Sequence, residues 1–183
     1  MRSATAPLAA RASDLALLVF ELDTQAYALP IRQVRRALRA VAIAPLPGAP
    51  AIVLGIVDLA GTVMPVIDMR RRLGHQPRRL RLSDHIIYAH TRRRPVALLV
   101  DKTTGVIDAP PEAVVPADGV LPGLVLVEGA VKLPGGLILI HDLDRLLSLE
   151  EDAAIGQAME LAAALPASAV RRTRSRPARR DRA

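Results

Sequence analysis

The stretch Gly55-Ile-Val-Asp-Leu-Ala-Gly-Thr-Val-Met-Pro-Val-Ile-Asp-Met-Arg70 limits most tightly what this chain can fold into. It reads as an apolar strand, a tight turn, a second apolar strand and the start of a short basic helix. Gly61 supplies the turn, because glycine alone enters positive φ without steric cost. Val63, Met64, Val66 and Ile67 continue as a strand with Pro65 inside it. Proline cannot donate a ladder hydrogen bond, so the pattern predicts an edge strand or a bulge. An edge offers its free backbone groups to another chain, which makes this stretch a place for a partner rather than for catalysis.

Short apolar runs broken by turn residues continue on both sides. Residues 15–22 are expected as a strand buried on both faces at its centre, 23–26 as a turn and 27–29 as the returning strand. Pro30 suits the first position of a short helix. In that helix Arg32, Arg35, Arg36 and Arg39 fall on one solvated face, with Ile31, Val34 and Leu38 on the other. Residues 45–50 are a rigid turn leading into the central stretch. A short helix over 70–73 is stopped by Gly74, and 75–83 form a basic loop. Strands are expected at 84–90, 95–101 and 105–108, a loop at 110–116, and a hairpin of 124–133 with 136–141 across Pro134-Gly135. Residues 142–147 make one short helical piece. Ser148-Leu-Glu-Glu151 is a capping box that opens a helix to about Leu165. Fifteen Pro and eleven Gly fit many short elements. Strands at this spacing imply small barrels or a sandwich, an all-β fold with short helices.

Composition narrows the function classes. With 51% hydrophobic residues, no Trp, and only Phe20, Tyr27 and Tyr88 as aromatics, the core is aliphatic. The absence of Cys excludes disulfides and thiol chemistry and suits a cytoplasmic location. Residues 170–183 hold seven Arg against one Asp, so +6 of the net +7 sits there and the rest is nearly neutral at +1. Residues 166–183 are therefore expected as a disordered Arg-rich tail and 1–13 as a disordered lead. Pro7, Arg11 and Asp14 interrupt any secretory leader. The charge-free run from Ala40 to Val57 is broken by Pro45, Pro47, Gly48 and Pro50, which rules it out as a membrane span.

No reaction chemistry is legible. Asp101-Lys-Thr-Thr-Gly105 faintly resembles the phosphorylated-aspartate motif of ion-pumping ATPases, one residue out of register and with no nucleotide apparatus following. His141-Asp142 lacks companions, since His75, His85 and His90 show no ligand spacing. No phosphate-cradling glycine loop, serine elbow or His-Glu-x-x-His helix is present. Neither catalysis, a cofactor, a metal nor a small-molecule substrate is expected. The rival reading is nucleic-acid binding through the arginines at 70–72, 78–81 and 92–94 with the tail. The near-neutral body and the shortage of stacking aromatics weigh against it.

Several of these segments together resemble the CheW family, the adaptors of bacterial chemotaxis arrays. The resemblance runs from about Leu15 to Leu147. It is carried by Val19-Phe20, Leu22, Tyr27, Leu29-Pro30-Ile31 and Val34, by Pro45-Leu-Pro-Gly-Ala-Pro50, by Val96 to Asp101 and by the closing Leu137 to Leu147. Its most specific part is the family pattern Gly-φ-φ-Asn-Leu-Arg-Gly-x-φ-x-Pro-φ-φ-Asp-Leu, with φ apolar. Gly55, Leu59, Gly61, Val63, Pro65, Val66, Ile67 and Asp68 meet it, with Met69 for the final Leu. The resemblance implies two side-by-side five-stranded barrels of Src-homology-3-like type over 14–147, with a subdomain boundary near 75–83 and a C-terminal helix at 148–165. It also implies no active site, and two partners: the regulatory domain of a CheA-like histidine kinase and the tip of a methyl-accepting receptor. A receptor helix would lie in the groove between the barrels.

Two departures bear on partner choice. Asp58-Leu59-Ala60-Gly61 stands where the family has Asn-Leu-Arg-Gly, and Arg36 stands where an acidic residue is common. An exposed ion pair contributes about 0–1 kcal/mol to stability, whereas an interface anchor contributes roughly 2–4 kcal/mol. The paired change is therefore expected to redirect binding rather than disturb folding, as in an adaptor for a dedicated system such as surface motility. Arg36, Asp58, Leu59, Ala60, Gly61 and Ile87 are the expected partner-binding residues.

Overall fold

The structure is a computed structural model that describes residues 15–116, 126–133 and 136–164. Among these described residues eleven strands alternate with short helical turns. They are β1 (Leu15–Leu22), β2 (Gln25–Pro30), β3 (Val34–Arg39), β4 (Val53–Leu59), β5 (Thr62–Asp68), β6 (His85–His90), β7 (Pro95–Val100), β8 (Lys102–Ala109), β9 (Val114–Pro116), β10 (Val127–Leu133) and β11 (Gly136–His141). The α-helices are α1 (Met69–Arg72) and α2 (Leu149–Ala164).

Two sheets form. The first has the order β8-β1-β2-β11-β10-β9 and the second β3-β6-β7-β5-β4. Each is antiparallel except for one parallel pairing, β2 with β11 and β5 with β7. Both close. In the first, β8 and β9 are opposite edges, yet only residues 110–113 separate them. That link reaches roughly 18 Å at full extension, whereas the edges of an open six-stranded sheet lie about 24 Å apart. The sheet must curl, with β8 and β9 as two halves of one stretch broken at Pro110. In the second sheet the chain beyond β3 returns to β4. Ala44 N–H donates to Ile56 O at 2.9 Å, and Ile56 N–H donates to Ala44 O at 2.8 Å. At this seam a Cβ on Gly55 would stand 2.0 Å from Ala44 O, so only glycine lets the two backbones meet.

Alternation explains why so many strands read as unbroken apolar runs. On β1, Leu17 and Val19 point into the first barrel, while Leu18, Phe20 and Leu22 enter a core shared by both sheets. On β7, Ala97 and Leu99 fill the second barrel, and Val96, Leu98 and Val100 face the shared core. Residues Leu143, Leu146, Leu147 and, from α2, Ile155 join that shared core. The capping box forms as the sequence implies: Glu151 N–H donates to Ser148 Oγ at 3.1 Å and Ser148 N–H to Glu151 Oε2 at 2.8 Å.

Several expectations need correcting. Residues 31–39 are not a helix but a three-residue 3-10 turn, Ile31–Gln33, running into β3. Pairing with β6 decides between two readings that the arginine spacing leaves equal. Of the two alternatives for Pro65, β5 is not an edge, since it lies between β4 and β7, but a bulge does interrupt its ladder, on β4 between Val53 and Gly55 opposite Ile67 and Val66. Pro65 is tolerated because Ile56, opposite it, turns its own N–H and C=O away to Ala44, and because the ladder with β7 starts only at Val66. The expected loop at 110–116 contains a 3-10 turn and β9. No boundary at 75–83 divides the barrels, because that segment lies within the second sheet's run. The first barrel takes β1, β2 and β8–β11, and the second takes β3–β7. The expected lead at 1–13, the Pro134-Gly135 turn, the start of the hairpin at 124–125 and the tail at 166–183 lie outside the described residues.

Candidate protein-interaction site

The second barrel presents the hairpin tip that the sequence singles out. Leu59 pairs with Thr62, which leaves Ala60 and Gly61 as a two-residue loop. Both have positive φ, +56° and +83°, the combination of a type I′ turn whose twist matches the flanking strands. The Asp58 carboxylate accepts the Gly61 N–H at 2.8 Å and so pins the loop from below. An Asn side-chain oxygen would make the same bond, so this departure from the family pattern keeps the turn and adds a negative charge. Asp58, Ala60 and Gly61 are exposed, as is Val63, paired across from Asp58. Leu59 turns inward and packs on the second barrel's core.

Arg36 is exposed on β3 directly opposite Tyr88 of β6. The Tyr88 ring packs on the same barrel core as Leu59 and stacks on His90, with 5.2 Å between centroids. Arg36 and the 58–61 loop thus belong to one barrel, although no ion pair joins Arg36 to Asp58 among the described residues. Ile87 does not belong with them. Its side chain is fully buried in the core shared by the sheets, so it cannot touch a partner in this fold.

The groove between the barrels is charged rather than apolar. It encloses about 540 Å³. Its walls carry Arg32 with Glu128 at 3.5 Å, Arg92 with Asp144 at 3.2 Å, and Arg145 with Asp142 at 3.1 Å.

A second constellation, unseen in the sequence, locks the barrels together. Arg70 reaches from α1 to Asp101 Oδ2 at 2.6 Å and to both Asp23 oxygens at 2.8 and 2.9 Å. Arg78 bridges Asp101 at 2.5 Å and Asp84 at 2.8 Å. Asp101 also accepts the Asp23 N–H at 2.8 Å. His75 extends the chain, with Nδ1 3.0 Å from Asp23 and Nε2 2.7 Å from the Tyr27 hydroxyl. Burial pushes the Asp101 carboxyl up, but the Asp23 N–H and the two guanidinium groups outweigh it and hold it below its ordinary value. The Arg70 hydrogen bond, with His75 behind it, lowers Asp23 likewise. His141, buried beside Tyr27, donates Nδ1–H to Leu126 O and leaves Nε2 without a partner among the described residues. Burial pushes its pKa below the ordinary value of 6.5, so it stays neutral.

Of the arginines counted toward a phosphate-binding surface, Arg70, Arg72, Arg78, Arg92 and Arg94 pair with Asp or Glu within the fold, while Arg79 and Arg81 are exposed. No group of side chains able to hold a metal ion occurs among the described residues, and no helix there is long and apolar enough to cross a membrane.

Comparison with known proteins gives one consistent result. Residues 16–151 match the family model for the CheW-like domain. A probable chemotaxis protein CheW of Rhizobium etli is 29% identical over 143 residues, covering 77% of this chain and 92% of that protein. The chemotaxis protein CheW of Thermotoga maritima is 27% identical over 140 residues, covering 76% and 92%. The crystal structure of the scaffolding protein TtCheW from Thermoanaerobacter tengcongensis superposes with a TM-score of 0.69 at 28% identity, covering 76% of this chain and 96% of that one.

Proposed function

The chain belongs to the CheW family, and on that premise we propose that it is a non-enzymatic adaptor of chemotaxis signalling. It joins the tips of methyl-accepting receptors to the regulatory domain of a CheA-like histidine kinase, working in the cytoplasm and gathered to receptor arrays. The observation that carries this reading is the braced 58–61 turn, with Asp58, Ala60 and Gly61 exposed at the tip of the second barrel. A two-residue I′ loop with a side-chain brace loses little freedom on docking, which favours its use as a contact. Asp58, Ala60 and Gly61 with Arg36 then form the kinase-facing contact, Leu59 sets the loop's seat, and the charged groove between the barrels receives the receptor.

The test restores the family residues. Ala60→Arg/Arg36→Glu and the unaltered protein are titrated against the regulatory domain of the kinase from this protein's own signalling system and against one from a standard chemotaxis system. The unaltered chain should prefer its own kinase, and the double variant should lose about 2 kcal/mol or more of that preference, roughly thirtyfold. Equal affinities for both kinases in both proteins would refute the assignment of partner choice to these positions.

A further inference from the structure

Among the described residues, ion pairs use up nine arginines that look free in the sequence, which makes the remaining ones informative. Arg35, Arg36 and Arg39 are all exposed on β3, and none has an acidic partner among the described residues. Ala40 N–H donates to Asp84 O at 2.7 Å, which prolongs the pairing of β3 with β6 and places the loop of Arg79 and Arg81, also exposed and without acidic partners among the described residues, on the paired side of the strand. Asp84 cannot offset this charge, because it is buried and committed to Arg78. Between the two arginines and just after them stand Leu80 and Leu82, 45% and 91% exposed.

β3 is also an edge. Its ladder runs to β6 on one side only, and the seam with β4 is made beyond its end, at Ala44. Every other residue of such a strand turns its N–H and C=O outward. A phosphate backbone or a lipid headgroup can meet arginines, but neither meets an alternating row of donors and acceptors. A second copy of this chain brings like charge to the same face, and its 170–183 segment is itself basic.

We propose that β3 is a docking edge for an acidic polypeptide segment. The segment adds as an extra strand, and its carboxylates meet Arg35, Arg36 and Arg39. The inference shares Arg36 with the adaptor reading and rests on that reading only for the protein's role as a scaffold. The surface is otherwise distinct from the 58–61 turn.

The test uses the full chain and a fluorescent peptide of about eight residues in which pairs of Glu alternate with single Val, so that carboxylates stand on both faces of the strand as Arg36 and Arg39 do, with a Lys-for-Glu peptide as control. Anionic vesicles of phosphatidylglycerol and a duplex DNA are run at the same ionic strength. The Glu peptide should bind, the Lys peptide should not, and hydrogen exchange of β3 amides should slow on binding. Arg35→Gln/Arg36→Gln/Arg39→Gln should weaken binding by about tenfold or more. Arg79→Gln/Arg81→Gln, off the strand, should weaken it less. Circular dichroism of both variants confirms that the fold is kept. Since every arm retains the basic tail, tail attraction cancels in the comparison. Unchanged peptide affinity in the triple variant, or a variant-sensitive preference for vesicles or DNA over the peptide, would overturn the proposal. Kinase binding plays no part in the readout, so a failure here is separate from failure of the adaptor assignment.

Discussion

Gly55→Ala should be among the most costly conservative changes in this protein. The added methyl would sit 2.0 Å from Ala44 O and 2.9 Å from the Ile43 side chain, against a tolerable separation above 3 Å. One of the two backbones must retreat by more than an ångström. The reciprocal Ala44–Ile56 hydrogen bonds, 2.9 and 2.8 Å long, are then lost. Each bond contributes about 1 kcal/mol net and more where its groups stay buried, so the seam accounts for roughly 2–4 kcal/mol. Forcing a side chain onto a backbone with φ of +153° adds about 1 kcal/mol. The sum, roughly 3–5 kcal/mol, is a large part of the 5–15 kcal/mol typical of a domain. Gly61→Ala is the matched control. Its φ is also positive, at +83°, but nothing lies within 4 Å of the new methyl, so it should cost only about 1 kcal/mol. Urea unfolding of both variants reads the difference directly. If Gly55→Ala loses no more stability than Gly61→Ala, the barrel is not closed at this seam and the account of the second sheet fails.

Two further predictions concern the ionic lock and acid stability. Asp101→Asn leaves Arg70 and Arg78, both largely buried, short of a charged partner, and should destabilise the fold by about 2–4 kcal/mol in chemical denaturation. Stability should fall as pH drops below about 6.5, because His141 protonates in the unfolded chain while burial keeps it neutral in the folded one. Asp23 and Asp101 act in the same direction lower down: their folded pKa values lie below 3.8, so their contribution is present above that pH and fades beneath it. His141→Gln should flatten the slope of stability between pH 7 and 5, and an unchanged slope would remove His141 from the account.

Much of the fold is legible because strands and caps are written locally. Turn residues bracket β1 and β2, and Ser148 and Glu151 announce α2 within four positions. Residues 31–39 were misleading because arginines spaced three and four apart also suit a twisted strand with a bulge, and only β6 decides between them. Pro65 misled for a subtler reason: a proline is harmless inside a sheet where its missing N–H faces no acceptor. Ile87 looked like a groove residue because β6 is buried on both faces, which leaves no alternation from which to read an outside. The turn at 58–61 is readable from Gly61, whereas the brace from the Asp58 carboxylate emerges only in the structure. The Asp23–Arg70–Asp101–Arg78 network was not, since its members lie far apart in the chain and each has an ordinary local reading as turn, helix, strand end or loop residue.

The interleaving of the sheets has a consequence for biosynthesis. The second barrel, residues 34–100, is one uninterrupted block and can assemble as soon as it has left the ribosome. β1 and β2 emerge before it, but their outer neighbours β8 and β11 are made about a hundred residues later. At typical elongation rates that gap lasts roughly 5–20 s. During it Leu18, Phe20 and Leu29 have only the nascent second barrel to lean on. The half of the molecule that begins first is therefore finished last, on a template supplied by the half that began second.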